Sequence, residues 1–259
     1  MQTVLFNQTV FGPIHSRRLG TSLGINLLPN DGKICSFDCL YCEAGFNAQG
    51  TGSTGFPSRE SVAEALENKL KEMRQKGENL DVITFSGNGE PTLHPDFFNI
   101  INDTINLRDK YYPEVKISVL TNSTRLNHPE VTEALHKVDN NILKLDSAID
   151  STLRNIDRPN NVGFNVEQAI EGISQFGNKA IIQTMFLKGE HEGTIIDNTT
   201  DKEIDALIDA YRRIKPGLIM IYSIDRKTPA ERLQKIGHEE LSSIARRINE
   251  ATGIPVSVA

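Results

Sequence analysis

Short apolar runs rich in β-branched residues alternate along this chain with longer segments of helical period, and that alternation leaves few folds open to it. Strands are predicted at 22–28, 81–87, 115–121, 142–149, 179–187 and 218–224. Helices are predicted at 60–76, 96–109, 129–137, 165–176 and 202–214, with another at 239–251. In the first helix Val62, Leu66, Leu70 and Met73 recur at helical spacing, with Ser58 as N-cap beside Pro57 and Gly77 as the stop. Asp201 likewise precedes a stripe of Ile204, Leu207, Ile208 and Tyr211. About six βα units result, as either an open doubly wound sheet or a partial β/α barrel. Periodicity does not separate the two. In both, the residues that act on a ligand collect at the C-terminal ends of the strands.

The three cysteines narrow the function. All fall within eight residues, in CSFDCLYC at 35–42. A disulfide framework uses an even number spread along a chain, so three crowded thiols point to one metal site. Thiolates suit zinc and iron–sulfur clusters. Structural zinc closes four ligands, and the fourth would have to come from a distant residue such as His15. A [4Fe–4S] cluster on Cys35, Cys39 and Cys42 leaves one iron open for binding and chemistry. Three unligated, buried cysteines are the remaining reading.

The 259 residues carry a formal net charge of −6, which argues against a polyanion as an obligatory partner but leaves room for a local basic groove. No apolar run approaches the roughly 18 residues of a membrane span. The start, MQTVLFNQTVFGP, lacks the basic end and long apolar stretch of a secretory signal. The expected location is the cytoplasm, where thiols stay reduced.

The run CSFDCLYC resembles the C-x3-C-x-aromatic-C signature of the radical S-adenosylmethionine superfamily, with Tyr41 in the aromatic position. The resemblance implies that the open iron is chelated by the amino and carboxylate groups of S-adenosylmethionine. One electron then cleaves the sulfonium and yields a 5′-deoxyadenosyl radical that abstracts hydrogen from a substrate. A flavodoxin- or ferredoxin-like electron donor is implied as partner, and the fold implied is a partial (βα)6 barrel. We expect one domain over 1–259, with a core at 20–225 and a C-terminal extension at 226–259, including IPVSV, that caps or extends it.

The second strand ends in FSGNGEPTLH, which looks like the superfamily's GGE motif for the methionine ammonium, with Asn88 between the two glycines. Gly87 and Gly89 allow a tight turn, and Glu90 supplies a carboxylate for a cationic amine. Thr121, Asn122 and Ser123 end the third strand, where they serve a ribose or cap a helix. Lys144 and Asp146 share one face of the fourth strand and pair or serve the cofactor; Tyr222 lies in the sixth, positioned for the adenine. Asp225 and Arg226 pair with each other or with substrate.

The segment FGPIHSRRLGTSLGINLLP resembles the N-terminal signature of a subgroup distantly similar to the enzyme that builds the tricyclic wyosine base in tRNA. Arg17 and Arg18 there anchor a substrate carboxylate or phosphate, or tie the N-terminus to the barrel. No further cysteine exists for an auxiliary cluster, which weakens transfer of that enzyme's activity. Two alternatives stand beside an enzyme of unknown substrate: an activating or modifying enzyme acting on a protein or tRNA, and a non-catalytic metal-binding or electron-transfer protein.

Overall fold

The computed structural model describes residues 4–16 and 19–259. Arg17 and Arg18 lie outside the described residues. The chain opens with a hairpin, β1 (Val10–Ser16) antiparallel to β2 (Gly20–Ile25). Helical crossovers then link the strands: α1 (Arg59–Lys76) leads to β3 (Val82–Phe85), α2 (Phe97–Tyr111) to β4 (Lys116–Thr121), and α3 (Pro129–Lys137) to β5 (Asn140–Lys144). Two helices, α4 (Asp150–Ile156) and α5 (Val166–Ser174), precede the long β6 (Ala180–His191). Next come β7 (Thr194–Asp197), α6 (Asp201–Ile214), β8 (Leu218–Ser223), β9 (Arg232–Lys235), α7 (His238–Thr252) and β10 (Val256–Val258).

Strands β2, β3, β4, β5, β6, β8 and β10 lie side by side in chain order, all parallel. That order decides between the two architectures. A doubly wound sheet reverses direction at a switch point, whereas right-handed crossovers that never reverse lay every helix on one face and curl the sheet. The helices pack accordingly, α1 on α2, α2 on α3, α5 on α6 and α6 on α7. The barrel is partial: β1 ends one edge of the sheet and β10 the other.

Local sequence explains the elements. Val62, Leu66, Leu70 and Met73 are all buried, the Ser58 side chain accepts from the Ser61 N–H, and Gly77 closes α1 in the left-handed region at φ 67°. Strand β3 is buried along its whole length, as a strand covered on both faces must be. Three features go beyond the periodicity reading. The fourth strand runs 140–144 rather than 142–149, so Asp146 and Ser147 lie beyond its end, in the mouth, and the short helix α4 begins soon after them. Strand β6 overshoots the sheet and takes β7 and β9 as antiparallel neighbours, a flap above the strand ends. The C-terminal IPVSV, expected to cap or extend the core, adds β10 to the parallel sheet.

Candidate active site

The cysteine loop leaves the C-terminal end of β2 and is held from several sides. Lys33, almost wholly buried, donates from Nζ to the Gly45 carbonyl at 2.7 Å and pairs with Asp38 at 3.5 Å, drawing the two ends of the loop together. The Asp38 and Leu40 N–H groups donate to the carbonyls of Asp157 and Ile156 at the end of α4, each at 2.9 Å. Asn160 donates to the Cys35 carbonyl at 2.9 Å and Asn47 to that of Phe37 at 3.1 Å. Cys39 is buried; Cys35 and Cys42 are half-buried, and all three are free thiols.

Burial disfavours the thiolates. It pushes Cys35 up to about 12, aided by the nearby charge of Glu90, and raises Cys39 well above the usual thiol range despite the partial offset from Lys144. Such sulfurs stay protonated until a metal replaces the proton. Among the described residues no three His, Cys, Asp or Glu side chains are gathered closely enough to hold a single metal ion. His15 faces solvent opposite Thr21, at the far end of β2 from the cysteines. Among the described residues the three thiols of this loop stand without a His, Asp or Glu that would complete a single-ion site with them. That fits a cluster that brings its own sulfide and takes one thiolate per iron at three of its irons.

The GNGEP loop is joined directly to the cysteine loop. The Ile34 N–H donates to the Asn88 carbonyl at 3.1 Å and the Glu90 N–H to the Ile34 carbonyl at 3.0 Å, a one-residue parallel bridge just ahead of Cys35. Gly89 adopts φ 137°, and a Cβ there would lie 1.8 Å from the Ile34 carbonyl oxygen. Gly87 turns against Asn26, whose buried amide accepts from the Asn88 N–H at 3.0 Å. The Asn88 carboxamide is itself directed inward: it donates to the Pro29 and Phe6 carbonyls and accepts from the Phe6 N–H. Its side chain braces the loop; only its backbone faces Ile34.

Glu90 is 2 % exposed. Its Oε1 accepts from the Thr92 N–H at 3.1 Å, the Thr92 hydroxyl at 2.5 Å and the Thr121 hydroxyl at 2.7 Å, and its Oε2 accepts from the Asn122 N–H at 2.7 Å. Burial raises its pKa and these donors oppose the rise. Asn122 reaches back to the cysteine loop, donating to the Ser36 hydroxyl at 2.8 Å with Cys35 Sγ at 3.6 Å. Ser123, at φ 68°, donates to the Lys144 carbonyl. The structure thus brings Cys35, Glu90, Thr121, Asn122 and Ser123 together.

Lys144 and Asp146 do meet, at 2.5 Å, and a third ionisable group joins them: Asp157, 3.2 Å from Lys144. The Tyr41 hydroxyl donates to Asp146, and the Lys144 ammonium lies 4.4 Å from the Tyr41 ring centre. Desolvation lowers the Lys144 pKa, but Asp146 and Asp157 outweigh it and hold the ammonium charged; burial raises Asp157 to about 8. Tyr222 and Tyr41 both pack against the small buried cluster that includes Leu40 and Met185. Asp225 and Arg226 do not pair with each other: they hold Lys235 and Glu43, at 3.2 and 2.6 Å. Sequence reasoning missed Lys33, Asp38, Asn47, Asp157 and Asn160, which carry no motif and act only through contacts across the chain.

Comparison with known proteins agrees with this geometry. The family model described as "Radical SAM superfamily" matches residues 30–211. A UPF0026 protein of Synechocystis is 30% identical over 96% of both chains. A protein of Brachyspira hyodysenteriae named GTPase Obg is 30% identical over 98% of this chain, which spans only 35% of that protein's length. Among solved structures, a radical SAM methyltransferase from Sphaerobacter thermophilus superposes with a TM-score of 0.65 at 14% identity, covering 92% of this chain and 65% of that one. TYW1 with a lysine-pyruvate adduct bound gives 0.60 at 15%, over 90% and 75%. By its cysteine loop, its glycine loop and these matches, the chain belongs to the radical SAM superfamily, alongside the UPF0026 proteins.

Proposed function

We propose that this radical SAM enzyme cleaves S-adenosylmethionine reductively on a cluster held by Cys35, Cys39 and Cys42. When bound, the cluster and S-adenosylmethionine supply one electron and a 5′-deoxyadenosyl radical able to take hydrogen from a substrate. The protein's own part is orientation. One observation carries the reading: the Ile34–Gly89 bridge fixes Cys35 against the Glu90 loop, so the cluster side and the amine-binding side of the site are built as one unit. Glu90, held by four donors, is the acceptor for the cofactor's amino group. Thr121, Asn122, Ser123, Lys144, Asp146 and Tyr222 offer polar groups at the strand ends for its ribose, carboxylate and base. Residues 226–259 complete the same sheet, which supports a single domain.

A low-potential flavodoxin- or ferredoxin-like protein is the expected reductant. No helix among the described residues is long and apolar enough to cross a membrane. Lysine chemistry like the TYW1 adduct finds little support here, because Lys33 and Lys144 are both held in ion pairs. The test is anaerobic: reconstitute the cluster, reduce it, add S-adenosylmethionine and measure 5′-deoxyadenosine. Product that disappears in each Cys→Ala variant supports the reaction class. A fully iron-loaded protein that neither binds the cofactor nor forms product refutes it.

A further inference from the structure

Arg125 follows the strand-end residues of β4 and differs in its pairing from other arginines of the chain. Arg59, Arg108 and Arg213 each hold a carboxylate, and Arg154 holds two carbonyls. The Arg125 Nε is buried with no hydrogen-bond partner, and among the described residues no carboxylate pairs with its guanidinium. That group is always charged and presents its donors as a planar fork. Nε itself is sealed from solvent, so the terminal N–H groups of the same unpaired fork, where Arg125 lines a cavity, are the ones left to meet an acceptor from outside the chain.

Arg125 lines a cavity of about 370 Å³. Its wall includes Thr92, Phe98, His128 and Glu130, and it lies where α2 and α3 begin. Neither helix has a side-chain cap: Asp96 and His128 occupy the N-cap positions without accepting from the first turn. The Phe97 N–H already donates to the His94 carbonyl and Pro129 has no N–H, so the later first-turn N–H groups of each helix and two positive dipole ends lie beside an unpaired guanidinium. His94, also on the wall, is already used, with its Nδ1 accepting from the Asp96 N–H and its Nε2 against the Pro57 carbonyl. Glu130 is the one carboxylate on the wall, and it is exposed.

We propose that this cavity binds a phosphate group, with Arg125 as its principal ligand. The donors approach from the arginine and from two helix ends, a spread that suits a tetrahedral oxyanion; a planar carboxylate is satisfied by the arginine fork alone. The position also gives the phosphate a purpose. Thr92 on the wall donates to Glu90, and Thr124, next to Arg125, bonds Ser36 beside Cys35 at 2.6 Å. A substrate anchored here by its phosphate has its remainder at the mouth of the barrel. This substrate role rests on the proposed function; the binding site does not.

The test uses the full chain and inorganic phosphate as probe. Equilibrium dialysis of the wild-type protein gives one saturable site per chain, and absence of any saturable site overturns the proposal without recourse to a variant. Thermal melting at constant ionic strength then assigns it. Phosphate raises the wild-type melting temperature; in Arg125→Met the apparent affinity falls about tenfold to a hundredfold, as loss of a charge-assisted contact requires. The variant melts no earlier than wild type in phosphate-free buffer, since it loses an unpaired donor. A Cys35→Ala variant keeps the phosphate response. Equal phosphate responses in wild type and Arg125→Met, or an equal response to acetate, overturn the assignment. Phosphate binding in a protein that never forms 5′-deoxyadenosine leaves the site standing and removes its substrate role.

Discussion

Replacing Gly89 by Ala tests the joint between the two loops, and Gly77→Ala supplies its control. Both glycines have positive φ, 67° at Gly77 and 137° at Gly89. A Cβ on Gly77 meets nothing within 4 Å, so the substitution carries only the conformational penalty, about 1 kcal/mol, or a melting shift of about 2–4 °C at this size. At Gly89 the backbone region is open essentially to glycine alone, at about 2 kcal/mol for alanine. The new Cβ must also drive the Ile34 carbonyl back from 1.8 Å to at least 3.0 Å. That movement breaks both hydrogen bonds of the bridge, each contributing about 1 kcal/mol. The expected loss is about 4 kcal/mol, a melting shift of about 8–16 °C, and because Cys35 follows Ile34 the variant also loses iron. Melting of the cluster-free chains and iron analysis after reconstitution measure both effects. A Gly89→Ala protein that melts within a few degrees of Gly77→Ala and loads iron fully refutes the reasoning.

Alanine at Cys35, Cys39 or Cys42 abolishes 5′-deoxyadenosine formation; full activity in any one of the three removes that cysteine from the ligand set. Glu90→Gln turns an amide donor toward groups that are already donors, which costs about 1–3 kcal/mol and weakens S-adenosylmethionine binding about tenfold or more; calorimetry that returns an unchanged dissociation constant excludes Glu90 as the amine acceptor. Asp157 makes the cluster-free chain pH-sensitive. Its folded pKa is raised from 3.8 to about 8, so the folded form keeps a proton the unfolded form has lost, and its contribution to stability is present in full below pH 4 and lost as pH rises to about 8. Asp157→Asn flattens urea midpoints measured across that range, and an unchanged slope contradicts it. Tyr41→Phe removes a donor to the buried Asp146 and lowers stability by about 1–2 kcal/mol, read in the same assay.

Much of the architecture was legible because each βα unit is a local object. The stripe of α1, its Ser58 cap and its Gly77 stop are decided by residues within a few positions of one another. Strand ends were harder. Apolar run length suggested a strand through 149, but at Leu145 the chain turns to direct Asp146 toward Lys144 and Tyr41, partners that no local pattern reveals. Helix α4 was missed because only Leu153 and Ile156 of its seven residues are buried, too few for a visible period.

Sequence alone determined the parallel βα fold class, the three-thiol site and the glycine loop, since spacing along one chain is enough to define each of them. The barrel rather than the open sheet was decided by strand order, a relation among segments far apart in sequence. Tertiary structure also decided the inward role of Asn88, the third ionisable group at Asp157 and the unpaired Arg125 beside two helix ends. Each is a matter of which groups burial brings within hydrogen-bonding reach, and distance in space is what a linear pattern does not contain.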